Sequence, residues 1–358
     1  MRVQLIYNPV AGPRDVADDL AHAIAYLQEQ GWDVTLRQTS GPGDATTYAR
    51  EAADDGYDMV IAAGGDGTLG EVASGLAHSE CILGVLPVGT GNVWAHMVGI
   101  PVWTPMQRNT LQEAARLLVE SQPHHIDLGK VEDRYFVLWA GVGFDAQVAH
   151  DIEPHREVRR TFGQLSYIVT ALALALGLRG TRVTLDVDGR VHRRRALMIV
   201  VTNIPLYGQW WRLAPQAQLD DGELELYIFK GSKTLDALRQ FVLLALGKHR
   251  GDPSVDVYNG RHITIRAEKR LPLHLDGDPA GYTPLTIEVV PKALRVVIPS
   301  SANRSMFREG DFYGEEPPSL GERIAAYWRE ERQRLQEEGE RLRNDWERRM
   351  RPDKDEPR

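Results

Sequence analysis

The chain has 358 residues, 42% of them hydrophobic and 26% charged, with a formal net charge of −8 at pH 7. That length is enough for two domains with proper cores, and the acidic balance argues against a nucleic-acid partner. One cysteine, Cys81, excludes an intrachain disulfide and a cysteine-based zinc cluster, which fits a reducing, cytoplasmic setting. Met1 to Tyr7 run straight into a strand pattern, without the layout of a signal peptide.

In chain order, residues 3–8 read as a strand ending in Asn8-Pro9-Val10-Ala11-Gly12, a turn that brings backbone close to a ligand. Asp15 to Gln30 has helical spacing closed by Gly31, Trp32 to Thr39 returns as a strand, and Asp44 to Asp55 is a second helix. Val60-Ile61-Ala62-Ala63 is a continuous apolar run, the pattern of a strand buried on both faces. It breaks at Gly64-Gly65, and helical spacing resumes through Leu69, Val72, Ala73 and Leu76. A further strand from Ile82 to Val88 completes an alternation that predicts a parallel sheet covered by helices, with its ligand at the carboxyl ends of the strands. That rule gathers Asn8, Thr39, Gly64 to Thr68 and Pro87 to Asn92 on one edge.

Gly64, Gly65 and Gly67 at the start of a helix leave backbone N–H groups facing outward, a cradle for phosphate. Asp66 is out of place there unless a cation such as Mg²⁺ lies between it and the phosphates. The plainer alternative is a helix N-cap.

After a helix from Leu111 to Glu120, the chain turns β-rich. Strands are expected at His125–Val131, Tyr135–Ala140, Arg182–Val187 and Arg190–Thr202, the last two joined by an Asp188-Gly189 hairpin turn. Such hairpins predict a sandwich. Between them lie a basic run with Arg156, Arg159 and Arg160, candidates for contact with an anionic membrane, and an apolar helix from Tyr167 to Leu178, too short to span a bilayer. A helix from Thr234 to Lys248 precedes more strands, which continue to Pro299 and enclose Asp276-Gly277-Asp278-Pro279. Residues 301–318 read as a linker. Residues 319–358 form a charged tail, helical over most of its length, for which docking, pairing in a homodimer and partial solvation all stay open.

These motifs together resemble the diacylglycerol kinase catalytic-domain family, bacterial lipid kinases related to sphingosine kinases. The resemblance rests on Gly64-Gly65-Asp66-Gly67-Thr68, Asn8-Pro9-x-x-Gly12, Pro87-x-Gly89-Thr90-x-Asn92, Gly143-Phe144-Asp145-Ala146, Leu219-Asp220-Asp221-Gly222-Glu223-Leu224 and Asp276-Gly277-Asp278. It covers roughly the first three hundred residues. It implies a Rossmann-like, NAD-kinase-like α/β domain over 1–122 that binds nucleotide, and a β-sandwich domain over 123–300 whose closing strand can return to the first domain. It also implies ATP and Mg²⁺ as cofactors, and a lipid hydroxyl, that of diacylglycerol or a relative, as acceptor at a membrane surface. The location implied is cytoplasmic and peripheral.

By the same resemblance Thr39, Gly65, Asp66, Gly67, Thr68, Leu69, Gly70, Glu71 and Thr90 contact ATP, joined by Asn8, Gly64, Gly89 and Asn92 from the turn positions. Asp66 organises Mg²⁺ through ATP and water. Asp221, with the backbone carbonyls of Gln218 and Glu223, holds a structural Mg²⁺, where the alternative is a metal-free β-turn. Asp278 stands where the family usually has a Glu general base, with an Asp-Gly hairpin turn as the plain reading of Asp276 and Gly277. Asp145 is as readily a helix cap as a catalytic acid. Val93 departs from the Asp that commonly follows the family's Asn, and Gln209-Trp210-Trp211 replaces glycines and one aromatic. An NAD kinase and a non-catalytic nucleotide sensor remain the alternatives.

Overall fold

The computed structural model describes residues 1–12, 15–104, 109–144, 146, 179–209 and 211–308. The expectations for Asp145, for Arg156, Arg159 and Arg160, for the helix at 167–178, for Trp210 and for the tail at 319–358 lie outside the described residues.

In the N-terminal half, β1 (Arg2–Tyr7) lies between β2 (Asp33–Gln38) and β3 (Met59–Gly64), and β3 between β1 and β4 (Ile82–Pro87), all parallel. Helices α1 (Ala17–Glu29), α2 (Asp44–Asp54) and α3 (Asp66–Leu76) make the crossovers, followed by a short α4 (Val93–Val98) and by α5 (Thr110–Glu120). α1 packs on α5 and α2 on α3. All six residues of β3 are buried, as an unbroken apolar run in a covered parallel sheet requires.

Beyond α5 the pairing turns mostly antiparallel. β5 (Gln122–Val131), β6 (Arg134–Phe136), β7 (Trp139–Gly143), β8 (Thr181–Val187) and β9 (Arg190–Thr202) come first, then the short β10 (Leu206–Tyr207) and β11 (Trp211–Arg212). β12 (Leu224–Lys230), helix α6 (Thr234–Ala245), β13 (Val255–Gly260) and β14 (His262–Ala267) follow. β15 (Pro272–Leu275), β16 (Asp278–Tyr282) and β17 (Leu285–Ile298) complete the set. Asp188 and Gly189 both take positive φ between β8 and β9, the two-residue turn expected of them.

β17 joins the two halves. It pairs antiparallel with β14 at its start and with β5 along its length, while Arg295 and Val296 run parallel to Ile82 and Leu83 of β4. The described strands β1–β9 and β12–β17 therefore form one sheet. Two cores lie against it. Ile199, Val201, Leu226 and Ile228 face one, whereas Val200, Tyr227 and Phe229 face the other. Being covered on both sides explains why β12 is apolar at nearly every position.

Two expectations need adjustment. The single strand expected over 135–140 is broken at Val137 and Leu138, whose N–H groups are drawn off to a side chain described below. Residues 301–308 do not behave as linker. A 3₁₀ turn at Arg304–Met306 buries Met306 and Phe307, and the Leu219 N–H donates to the Met306 carbonyl. Met1–Gly314 gather as one compact unit, in which β17 ties the two halves together.

Candidate active site

The glycine loops meet backbone to backbone. A Cβ at Gly89 would run into the Cα of Gly65, and one at Gly12, where φ is +75°, would run into the Val88 carbonyl. Glycine is fixed at these positions by close approach of three loops at the carboxyl ends of β1, β3 and β4. Gly65 is the extended N-cap of α3 and offers no side-chain cap. The first intrahelical bond runs from the Leu69 N–H to the Gly65 carbonyl at 3.0 Å, so the N–H groups of Asp66, Gly67 and Thr68 precede the helical ladder.

Asp66 is a cap, but for a different helix. Its carboxylate accepts the N–H groups of Val93 (3.0 Å) and Trp94 (3.2 Å) at the start of α4. The Val93 side chain is buried in the core behind this contact. The loop before it is held from inside by Asn92, at φ +48°, which donates through Nδ2 to the Gly89 carbonyl at 2.7 Å. From the second half, Gln209 donates through Nε2 to the carbonyls of Thr90, at 3.1 Å, and of Gly91.

The β15–β16 hairpin brings two more acids onto α3. Leu275 pairs with Asp278 across a two-residue loop in which Asp276 (φ +50°) and Gly277 (φ +95°) are both left-handed, the geometry an Asp-Gly turn favours. Its side chains do more than turn the chain. A Cβ at Gly67 would lie 2.8 Å from Asp278 Oδ2, and one at Gly70 3.1 Å from Asp276 Oδ2. Gly67 and Gly70 are three apart and share a helix face, so this face is bare where the two carboxylates rest on it. Asp276 accepts the N–H groups of Val137 (2.8 Å), Leu138 (2.9 Å) and Trp139 (3.0 Å), which is what interrupts the expected strand. Burial of its carboxyl, aided by the charge of Asp66, pushes its pKa up to about 7 against those three donors. The turn backbone of Asp276 keeps the residue as a whole only half-buried.

The other expected nucleotide residues gather here with engaged side chains. Asn8 Nδ2 donates to Thr68 Oγ1 at 2.9 Å, and Asn8 Oδ1 accepts the Val10 N–H. A Cβ at Gly64 would strike the Thr68 side chain. Thr39 is buried and donates its N–H to the Tyr7 carbonyl at 2.9 Å. Leu69 points into the core. Glu71 reaches across to α2, accepting the N–H groups of Gly43 (3.0 Å) and Ala45 (3.2 Å), while its carbonyl accepts from Thr46 Oγ1. Glu71 thus caps α2 and holds the segment after Thr39 in place.

The Asp221 loop is separate. It precedes β12, whose Leu226 lies in one row with Val201, Ala140 and Leu275, so it is at the same sheet end as the Asp276 turn but three strands away. Asp221 Oδ1 accepts the Glu223 N–H at 3.0 Å, which closes the turn. Beside it lies an acid that sequence reasoning missed. Asp127 is fully buried and accepts the N–H groups of Gly222 (2.6 Å) and Lys292 (2.7 Å). Burial raises the pKa of Asp127 and of Asp221, and in Asp221 the neighbouring acids Asp127, Glu223 and Asp220 raise it further. The signal was present in the sequence, since Asp127 stands between Ile126 and Leu128 in an apolar strand. Among the described residues no group of three or more His, Cys, Asp or Glu is placed to hold a metal ion, so any cation at Asp221 would need backbone carbonyls as well.

Comparison with known proteins follows this division of the chain. Residues 2–131 match the model of the diacylglycerol kinase catalytic domain, and residues 139–298 match that of the YegS C-terminal NAD kinase beta sandwich-like domain. A diacylglycerol kinase of Bacillus subtilis is 31% identical over 300 residues, which cover 83% of this chain and 96% of that protein. One from Staphylococcus aureus is 29% identical over 301 residues, covering 84% and 93%. A crystal structure of a diacylglycerol kinase from Bacillus anthracis superposes with a TM-score of 0.69 at 25% identity, covering 84% of this chain and 98% of that one.

Proposed function

The chain belongs to the diacylglycerol kinase family, and from that membership we propose that it transfers the terminal phosphoryl group of ATP to the hydroxyl of diacylglycerol or a related lipid alcohol. It is a kinase with an alcohol acceptor. The observation that carries the finer reading is the seat of Asp278, a residue of the β-rich half, directly on Gly67 in the first turn of α3. One turn thereby offers N–H groups for phosphate and a carboxylate for the acceptor's proton.

Phosphoryl transfer asks a protein chiefly for positioning and charge neutralisation. The N–H groups of Asp66, Gly67 and Thr68 would hold phosphate oxygens, and the loops at Asn8, Thr39 and Thr90 would frame the rest of the nucleotide. Mg²⁺ on the phosphates would supply neutralisation. Asp66 fits as its anchor through water. Both its oxygens already accept backbone N–H groups, and its charge, felt at Asp276, is the excess a cation would offset. Asp278 would take the proton of the acceptor hydroxyl as that oxygen attacks phosphorus. Asp221, with the carbonyls of Gln218 and Glu223, is assigned a second, structural Mg²⁺, for which its crowding by acids is the support.

The test is steady-state phosphorylation by purified protein, with labelled ATP and a panel of lipid and nucleotide alcohols. Transfer to a lipid alcohol is expected, abolished in Asp66→Asn. Asp278→Asn should lose about 10²–10⁴ in kcat, the usual worth of a general base. Asp278→Glu should be impaired too, because one more methylene moves the carboxylate off its seat on Gly67. Phosphorylation of NAD in place of lipid, or an Asp278→Asn variant that turns over like wild type, would overturn these assignments.

A further inference from the structure

Helix α6 is built inside out. An amphipathic helix on a protein surface normally turns its polar stripe to solvent. Here the buried residues are Gln240 and Leu244. Leu235, Leu238, Val242 and Leu246, the last at the C-cap, are 73%, 47%, 47% and 63% exposed. At 100° per residue these four fall within about 80° of arc, on the side away from Leu244. Phe241, on the shoulder of this face, meets Trp211 edge-on at 5.1 Å, and Trp211 stacks towards Tyr207 at 6.5 Å. The apolar face is therefore continuous with the aromatic group around β10 and β11. The turn between those two strands carries Gln209, the residue that grips Thr90 and Gly91.

The ground beside this face is basic. An open cavity of about 400 Å³ at the start of α6 is lined by Arg195, Lys230, Arg239 and Asp236. Lys230 is paired with Asp256 and Arg239 with Asp252, while Arg195 donates to the Gly180 carbonyl. Lys233 and Lys248 flank the helix in exposed positions. Arg195, Lys233 and Lys248, the cations here outside those ion pairs, sit on a chain whose net charge is −8.

We propose that α6 is the docking face of the protein on an anionic lipid bilayer. Its apolar stripe enters the interface, and Arg195, in the cavity at its N-terminal end, receives a lipid phosphate. An apolar helix face with basic neighbours is the combination that holds a peripheral helix in the plane of a membrane. The proposal rests on the lipid-kinase reading for its purpose, since the acceptor must be reached in a bilayer. It differs from the expectation placed on Arg156, Arg159 and Arg160, because it assigns the contact to another element.

The experiment is co-sedimentation with phosphatidylcholine vesicles, with and without phosphatidylglycerol, comparing wild type with the pair Leu238→Asp and Val242→Asp. Both positions are exposed, and a melting curve confirms that the fold is kept. The paired variant should partition at least about tenfold less and phosphorylate bilayer-embedded diacylglycerol correspondingly less, while its turnover on a soluble short-chain diacylglycerol stays within about twofold. Arg195→Gln should lose the preference for phosphatidylglycerol. A fluorophore on Leu246→Cys, selective because Cys81 is buried and its thiol pKa is raised by that burial, should shift to the blue on adding vesicles. Unchanged partitioning of the paired variant and a silent fluorophore would overturn the proposal. So would self-association in solution that the same pair abolishes, which would make the face an interface between two copies. Failure to phosphorylate any lipid would strike the functional reading instead and leave the sedimentation result to decide the docking face.

Discussion

Asp276 shows how much one side chain can decide. Its carboxylate splits a strand, holds the hairpin that presents Asp278, and sits within the field of Asp66. Its carboxyl is pushed from 3.8 to about 7, so between those values the native protein holds a proton that the unfolded chain releases. That contribution to stability is fully present below about pH 4 and is lost as pH rises through 7, by at most about 4 kcal/mol for three pK units. In chelator, the wild-type melting temperature should fall between pH 5 and 8, while that of Asp276→Asn should run flatter over the same window. Parallel profiles for the two proteins would show that this carboxyl is already ionised when folded. A divalent cation near Asp66 should flatten the wild-type curve only in part, because it offsets the Asp66 charge while burial, the larger cause of the raised pKa, remains.

At the scale of elements, the glycines fall into two kinds that look alike in sequence. At Gly89 a Cβ meets the backbone of Gly65, which cannot yield without moving α3 from β4. At Gly67 it meets only the end of the Asp278 side chain, which can swing away. Gly89→Ala should therefore lower the melting temperature, whereas Gly67→Ala should melt near wild type and lose kcat through displacement of Asp278. Differential scanning calorimetry beside initial rates checks both, and a Gly67→Ala enzyme of full activity would count against the role of Asp278. The sequence could show that glycines were needed between Val60 and Leu76, because a turn and a helix start demand them. It could not show which face each served. The partner of Gly67 is Asp278, and the bonds that order Asp276 span 137 to 139 residues.

Over the whole molecule the legible part was whatever repeats locally. The β-α alternation of the first half declared itself through apolar periodicity, and the Asp-Gly turns through residue type. Contacts between distant segments were not legible. Asp66 looked like a cap for its own helix and instead caps α4, Glu71, expected at the nucleotide, also holds α2, and Gln209 ties the β-rich half to the Thr90 loop. In each case residue type was informative about chemistry and silent about partner. The inverted exposure of α6 was hidden for the same reason, since Thr234–Lys248 shows an apolar stripe but not which way it faces. Residues 301–308 looked like linker because only a few anchors hold them, among them Met306 and Phe307.

The sharing of β17 between the two halves has a consequence for how the chain is made. β4 gains its outer neighbour only when Arg295 and Val296 arrive, roughly two hundred residues later. At 5–20 residues per second a ribosome takes on the order of ten to forty seconds to supply them. Through that interval the nascent N-terminal half carries an open, apolar strand edge, the kind that recruits other chains. Residues 1–122 expressed alone should therefore be largely insoluble, and supplying 123–308 as a separate chain in the same cell should restore soluble protein. A soluble, monomeric 1–122 fragment would show that β4 guards its own edge and that the closing strand is not what protects the growing chain.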